Sequence, residues 1–318
     1  MSAKTPEGSR PAAKKCFTAL PSTVSFRMTH RQTNTRKQTR HRTGKARAVS
    51  PSVHPAGPSP RDPEVLGRLA GEVAIRTFPA SQRDQWRRQI YEQMLLTSRC
   101  IDGPNFQKVS PEDVSRMIRL YDDRFFDGRI LNAASAEGIS FQLSSRMTSV
   151  GGKLVTQYPE GNYDGRRQFE LVLSSTLLFQ TFEDVSRPIE VAGCLCRDRL
   201  EAMQRIAEHE FVHLIEMLIW NDGNCSEARY QSIAHRYFGH TDYQHNLITQ
   251  RERAAVRFNI RVGDDVVFHH EGHRMQGRVN RITRRATVLV PNPAGQKFSD
   301  GKRYSRYYVP LERLRRVK

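Results

Sequence analysis

Between Ala207 and Trp220 the chain reads AEHEFVHLIEMLIW, a stretch that has to be a helix lying on a core. Phe211, Leu214, Ile215 and Leu218 recur at helical spacing and define a dry face. His209 and His213 are four residues apart, so on a helix they project only about 40° apart and two imidazoles can converge on one cation. Glu210 follows the first histidine, where a carboxylate can serve as general base. Two neutral imidazoles and one further protein ligand leave a fourth position on Zn2+ for water, whose pKa the ion lowers toward about 7. A helix with one reactive stripe and one packing stripe is what such a centre requires. Two chance histidines on a solvated helix would not need the flanking core.

The third ligand is open from these residues alone. If the helix ends in a turn at 221–225, His235 on the returning helix lies roughly level with His213. His240 follows Gly239, which ends that helix and frees the backbone to fold back toward the cation. Glu216 lies one turn after His213 on the same face, and Cys225 and Glu227 sit in or just after the connecting turn.

Elsewhere the pattern divides the chain. Residues 1–62 are Arg-, Ser- and Pro-bearing with few large apolar residues, the composition of a disordered basic tail. Residues 63–107 form a helical lead-in, with Trp86, Ile90 and Met94 at i, i+4, i+8. In the stretch VSPEDVSRMIRLYDDRFFDG, Ser110 is placed as an N-cap and Pro111 suits the first turn. Val114, Met117, Ile118, Tyr121 and Phe125 make an apolar stripe ended by Gly128. The runs GISFQLSS and QFELVLSS, parted by a glycine-bearing segment, read as two or three strands. A helix over roughly 190–220 follows, then a second over about 226–238. Residues 258–318 alternate apolar and polar, with a turn at Glu271-Gly272, as in a small SH3-like barrel. The expected fold is therefore α+β over 108–252, followed by an all-β unit over 258–318.

Charge is distributed unevenly along this order. Residues 1–60 hold twelve Lys/Arg and one acid, net +11; residues 258–318 hold fourteen and five, net +9. The centre carries −2 of the total of +18. Two basic ends around a near-neutral globule suit an anionic partner, nucleic acid above all. Arg278, Arg281, Arg284 and Arg285 are candidate phosphate contacts. Tyr304, Tyr307 and Tyr308 could stack on bases, but their alternation fits a small core better. Five scattered cysteines without a Cys-x-x-Cys pair argue against a disulfide scaffold and fit a reducing, cytoplasmic compartment, a nucleoid association included. No apolar run is long enough to span a membrane, and no secretory signal peptide is evident. The Arg/Ser/Thr-rich, acid-poor start is also compatible with an organelle transit peptide.

With these parts in place, LYDDRFFDGRI, FELVLSSTLL and HEFVHLIEMLIW together resemble the SprT-like metalloprotease domain of Spartan-type enzymes, over about residues 108–250. The resemblance implies a zincin-like fold, zinc held by His209 and His213, Glu210 as catalytic base, and protein substrates associated with DNA. The family usually places His-Gly at the head of the next helix, where this chain has Ser226-Glu227. Its FGHT segment resembles that of related SprT-like proteins, which ranks His240 first as third ligand, His235 second, and Glu227, Glu216 and Cys225 behind. The cysteine-rich ribbon of some relatives is replaced here by the basic C-terminal unit. Two functions follow as expectations: a zinc-dependent peptidase acting near nucleic acid, or a non-catalytic nucleic-acid-binding or adaptor protein with a degenerate metalloprotease-like domain.

Overall fold

The computed structural model describes Phe17–Thr18, residues 63–158 and residues 166–317; the rest of the basic stretch 1–62 lies outside the described residues. The fold is α+β, with eight α-helices, a five-stranded antiparallel sheet and smaller sheets among the described residues. Strand β1 (Phe17–Thr18) pairs with β2 (Lys108–Val109). The lead-in forms α1 (Pro63–Ile75) and α2 (Ala80–Thr97). Helix α3 (Pro111–Phe125) starts as its sequence dictates. The Ser110 hydroxyl accepts from the Asp113 amide, and the Asp113 carboxylate accepts from the Ser110 amide at 2.8 Å. All five stripe residues of α3 are buried.

Helix α4 (Arg129–Glu137) leads into β3 (Ile139–Ser144), β4 (Gly152–Gln157) and β5 (Gln168–Ser174), which form a sheet of order β3-β5-β4. β3 runs parallel to β5 and β4 antiparallel to it, so β4 is an edge strand. After α5 (Ser175–Gln180), residues expected to begin a long helix instead form a hairpin, β6 (Ile189–Val191) and β7 (Cys194–Cys196). Ala192 and Gly193 both take positive φ and turn the chain, so α6 begins only at Arg199 and runs to Trp220, capped by Asp198. Helix α7 (Ala228–Phe238) returns beside it and stops at Gly239, which has φ 73°.

Helix α8 (Gln250–Phe258) precedes β8 (Asp265–His270), β9 (His273–Ile282), β10 (Ala286–Lys297) and β11 (Arg303–Val309). A 3-10 turn (Leu311–Arg313) then leads to β12 (Arg315–Arg316). The strand order is β11-β10-β9-β8-β12. The expected turn at Glu271-Gly272 joins β8 to β9, both residues at positive φ.

There are two cores. The larger gathers α2, α3, α6 and α7 around Phe78, Tyr121, Phe125, Phe211 and Phe238; the smaller lies under the five-stranded sheet, around Ile260, Val266, Phe268, Val279 and Val288. Ion pairs of α8 (Arg253–Asp184 at 2.7 Å and Glu252–Arg187 at 2.6 Å) join it to the segment before β6. Cys100 is disulfide-bonded, where free thiols were expected; Cys194, Cys196 and Cys225 are free.

Arg199, at the start of α6, is wholly buried. Its guanidinium donates to the carbonyls of Leu178 (2.7 Å), Asn105 (2.9 Å), Phe106, Phe179 (2.8 Å) and Thr181 (3.2 Å). One side chain thus satisfies two loops that no ladder reaches. Arg199→Ala leaves several of these acceptors dry, each costing about 1–3 kcal/mol. Urea denaturation should show a loss of at least about 3 kcal/mol; a loss within the range of an ordinary surface substitution would mean the loops find other donors.

Candidate metal centre

Helix α6 brings His209 and His213 together as the spacing predicts, with ring centroids 5.0 Å apart. Both rings face Tyr230 of α7, at 5.2 and 4.6 Å, and its hydroxyl donates to the His209 carbonyl at 3.0 Å. The α6–α7 connection begins at Asn221, in the left-handed region at φ 52°, and folds back over the pair. It carries Cys225 to the histidines: one nitrogen from each ring and the Cys225 sulfur all lie within 4.8 Å of one another. Gly223 belongs to the same wall, since a Cβ there would stand 3.5 Å from His213 Nδ1 and 3.6 Å from Glu216 Oε2.

The donor set suits zinc. Zinc–nitrogen bonds of about 2.0–2.1 Å and zinc–sulfur bonds of about 2.3 Å place tetrahedral ligands about 3.3–3.6 Å apart, so no pair need close by more than about an ångström or slightly over. Burial pushes His209 down to about 3, with His213 adding to the shift, and pushes His213 down to about 4. Both imidazoles are therefore neutral near pH 7 and hold the lone pairs a cation needs.

Glu210 is buried and its Oε2 has no partner. Burial pushes its carboxyl up to about 8, against the Leu154 backbone amide, which favours the charged form. Gly152 at the head of β4 is in tight register with it: a Cβ there would fall 2.6 Å from Glu210 Cγ and Oε1, so any larger residue would push the carboxylate from its place. The preceding Gly151 amide is held by His245 Nε2 at 2.9 Å. Between β4 and α6 opens a cleft of about 260 Å3, lined by Gly152, Lys153, Leu154 and Thr156 on one side and His209, Glu210, His213 and Met217 on the other.

The other third-ligand candidates go elsewhere. His240 is buried with Nε2 2.8 Å from Glu208 Oε2, and it is Cys225 rather than His240 that stands with the histidine pair. The ionised Glu208 carboxylate is a strong acceptor for the ring N–H. His235 Nδ1 meets the His240 carbonyl at 3.1 Å. Glu227 is the exposed N-cap of α7. Glu216 is fully buried, with Oε1 accepting from Arg229 at 2.7 Å and Oε2 unpartnered beside Gly223. Sequence reasoning ranked Cys225 behind these and missed Gly152, Tyr230 and His245. The adjacent glycines 151–152 at a strand start were the one signal of a close approach.

On the C-terminal sheet, Arg278, Arg281, Arg284 and Arg285 are all exposed, the last two in the β9–β10 turn. Arg278 is matched by Asp265 at 3.1 Å. Tyr307 packs on Phe268, as a core residue should, whereas Tyr308 is 62% exposed and corrects the core reading for that position. No helix among the described residues is long and apolar enough to cross a membrane. No protein family, curated protein or solved structure matches the chain.

The Glu210 carboxyl gives a pH-dependent signature. Its folded value, about 8, lies above the ordinary 4.5, so the folded state keeps a proton that the unfolded state releases. Stability of the metal-free protein therefore falls as pH rises between those values. Glu210→Gln removes that loss. In chelator-treated protein the variant should gain on the parent across the window, by about 1.4 kcal/mol per unit of pKa displacement, and show no gain below it. Urea titrations below, within and above the window check this; a constant offset would mean that the carboxyl is already ionised in the fold.

Proposed function

We propose that the chain is a zinc-dependent peptidase of the SprT-like, zincin-fold kind, acting on proteins associated with nucleic acid. The observation that carries this reading is the juxtaposition of a buried, half-unpartnered Glu210 carboxyl with two neutral imidazoles on one cleft, the Cys225 thiol lying against the imidazole pair. His209, His213 and Cys225 would hold the metal. When bound, the ion supplies a Lewis acid that polarises a carbonyl and acidifies water. Glu210 then takes up and returns a proton at Oε2, the oxygen that no protein group occupies. A neighbouring cation favours the carboxylate while burial favours the acid, so the group can change state near neutral pH. Tyr230 fixes the helix backbone at His209, and Gly152 leaves the carboxylate room.

The substrate class rests on β4. This strand pairs with β5 on one side only, and four of its residues line the cleft, so an extended peptide could add to its free edge through main-chain hydrogen bonds. The C-terminal strand order, a four-strand meander with a last strand returning beside β8 after a 3-10 turn, supports the SH3-like reading. Its net +9 supports nucleic acid as the partner that brings substrate near. The non-catalytic alternative draws on Ser226-Glu227 standing where the resemblance calls for His-Gly.

Metal analysis and three variants decide between them. The purified protein should hold about one zinc per chain. Its cobalt-substituted form should show a thiolate-to-cobalt charge-transfer band that disappears in Cys225→Ser and persists in His240→Ala. A parent that binds cobalt without a thiolate band, and loses the metal in His240→Ala, would put His240 in the third position instead. A well-folded preparation that takes up no metal would favour the non-catalytic reading. Glu210→Gln should keep the metal and lose peptide hydrolysis by about a hundredfold or more; retained hydrolysis removes Glu210 from the chemistry.

A further inference from the structure

The outer face of the C-terminal sheet presents an aromatic ring among unpaired cations. Along β11 the side chains alternate: Val309 is buried and Tyr307 packs inward on Phe268, while Tyr308 stands 62% exposed on the other face. Tyr308 lies opposite Thr287 of β10, and Thr287 lies opposite Arg281 of β9. The next row on that face is Arg306, Leu289 and Arg278. Tyr308 therefore sits on an edge strand, with Arg306 two residues along and Arg281 two strands away across a short threonine. Asp265 matches Arg278, and Arg306 donates only to the neutral Gln296. Among the described residues, Arg281, Arg284, Arg285 and Arg306 form no ion pair.

We infer that this face binds single-stranded nucleic acid, with the Tyr308 ring stacked on an unpaired base and Arg281 and Arg306 on the flanking phosphates. The cations alone would suit a duplex, a single strand or an acidic protein. The exposed ring decides among them. A duplex keeps its bases stacked on one another, whereas each base of a single strand offers a free π-face to an aromatic side chain. An acidic protein would match the charge and leave the stacking surface without a role. No residue of the metal centre takes part, so the inference deepens the nucleic-acid half of the proposed function and stands if the peptidase half fails.

The test uses the full chain, a fluorescent oligothymidylate and a duplex of equal length, read by anisotropy over a range of salt. The basic stretch 1–60 contributes equally to every variant and cancels in the ratios. Tyr308→Ala should weaken binding to the single strand about tenfold and leave the duplex within about twofold, while Tyr308→Phe restores the parent value. The double variant Arg281→Ala, Arg306→Ala should flatten the log–log salt slope on the single strand by about 1.4, two phosphate contacts at about 0.7 each. Unchanged single-strand binding in Tyr308→Ala, or equal losses on both oligonucleotides, overturns the inference and leaves a purely electrostatic surface. If polyglutamate displaces the oligothymidylate equally well from parent and Tyr308→Ala, the face belongs to an acidic protein instead. Thermal melts confirm that the variants fold, as substitutions of exposed side chains should.

Discussion

Immediately before His209, α6 buries a charge. The Glu208 carboxylate has no exposure and is met by Arg87 of α2 at 2.9 Å, Arg205 of its own helix at 3.1 Å and His240 after α7 at 2.8 Å. Arg87 continues to the Phe238 carbonyl at 2.6 Å, which ties down the end of α7. Desolvation opposes ionisation here, yet Arg87 and Arg205 hold the carboxyl well below the usual carboxylate range. A buried ion pair of this kind adds little net stability compared with apolar packing, but removing one partner strands the others. Its effect is therefore geometric. It sets three chain segments at one level beside His209, and the α6–α7 turn with Cys225 can only reach the histidines if α7 is docked there.

The same helix shows how neighbours set protonation. Glu208 and Glu210 are two residues apart, about 200° around the helix, and both are buried. Glu208 faces two guanidiniums and is pulled down; Glu210 faces a glycine and a cleft, meets no cation, and is pushed up to about 8. Equal burial with opposite neighbours gives one carboxylate that is structural and permanently charged and one that can exchange a proton near neutrality. The apolar flank of α6 keeps both environments dry, with Phe211, Leu214 and Ile215 fully buried between them.

This division explains what was legible in the sequence. The α3 cap and stripe, the histidine pair and the Glu271-Gly272 turn are local patterns, decided within a few residues by propensity and periodicity. The fate of His240 was not local. Its partner Glu208 lies 32 residues away, and a buried carboxylate between two arginines has no sequence signature. The approach of Cys225 to the histidines is not local either, since it depends on the left-handed Asn221 and on where α7 docks, both tertiary outcomes. The helix start was misjudged for a simpler reason. Ile189–Val191 and Cys194–Cys196 are short apolar runs that fit helix or strand equally, and the positive φ of Ala192 and Gly193 settles them as a hairpin. For Tyr308 the alternation was read correctly but the face was not, since Tyr307 and Tyr308 cannot both point inward on one strand.

The arginines complete the argument, because the fold treats them in two ways. In the larger unit Arg87, Arg199, Arg205 and Arg229 are engaged with carboxylates or carbonyls, and Arg199 is fully enclosed. On the C-terminal sheet, Arg281, Arg284, Arg285 and Arg306 stand in water with no acid opposite, within a segment of net +9. Like charges gathered on one small sheet repel and lower its stability, modestly in salt, and only Arg306 has local contacts in return, with Gln296 and the Phe298 ring. The small core beneath, built on Val266, Phe268, Val279 and Val288, does not need them. Charges that no acid among the described residues matches call for a partner outside the molecule, and on this sheet the exposed ring beside those cations is what narrows that partner's chemistry.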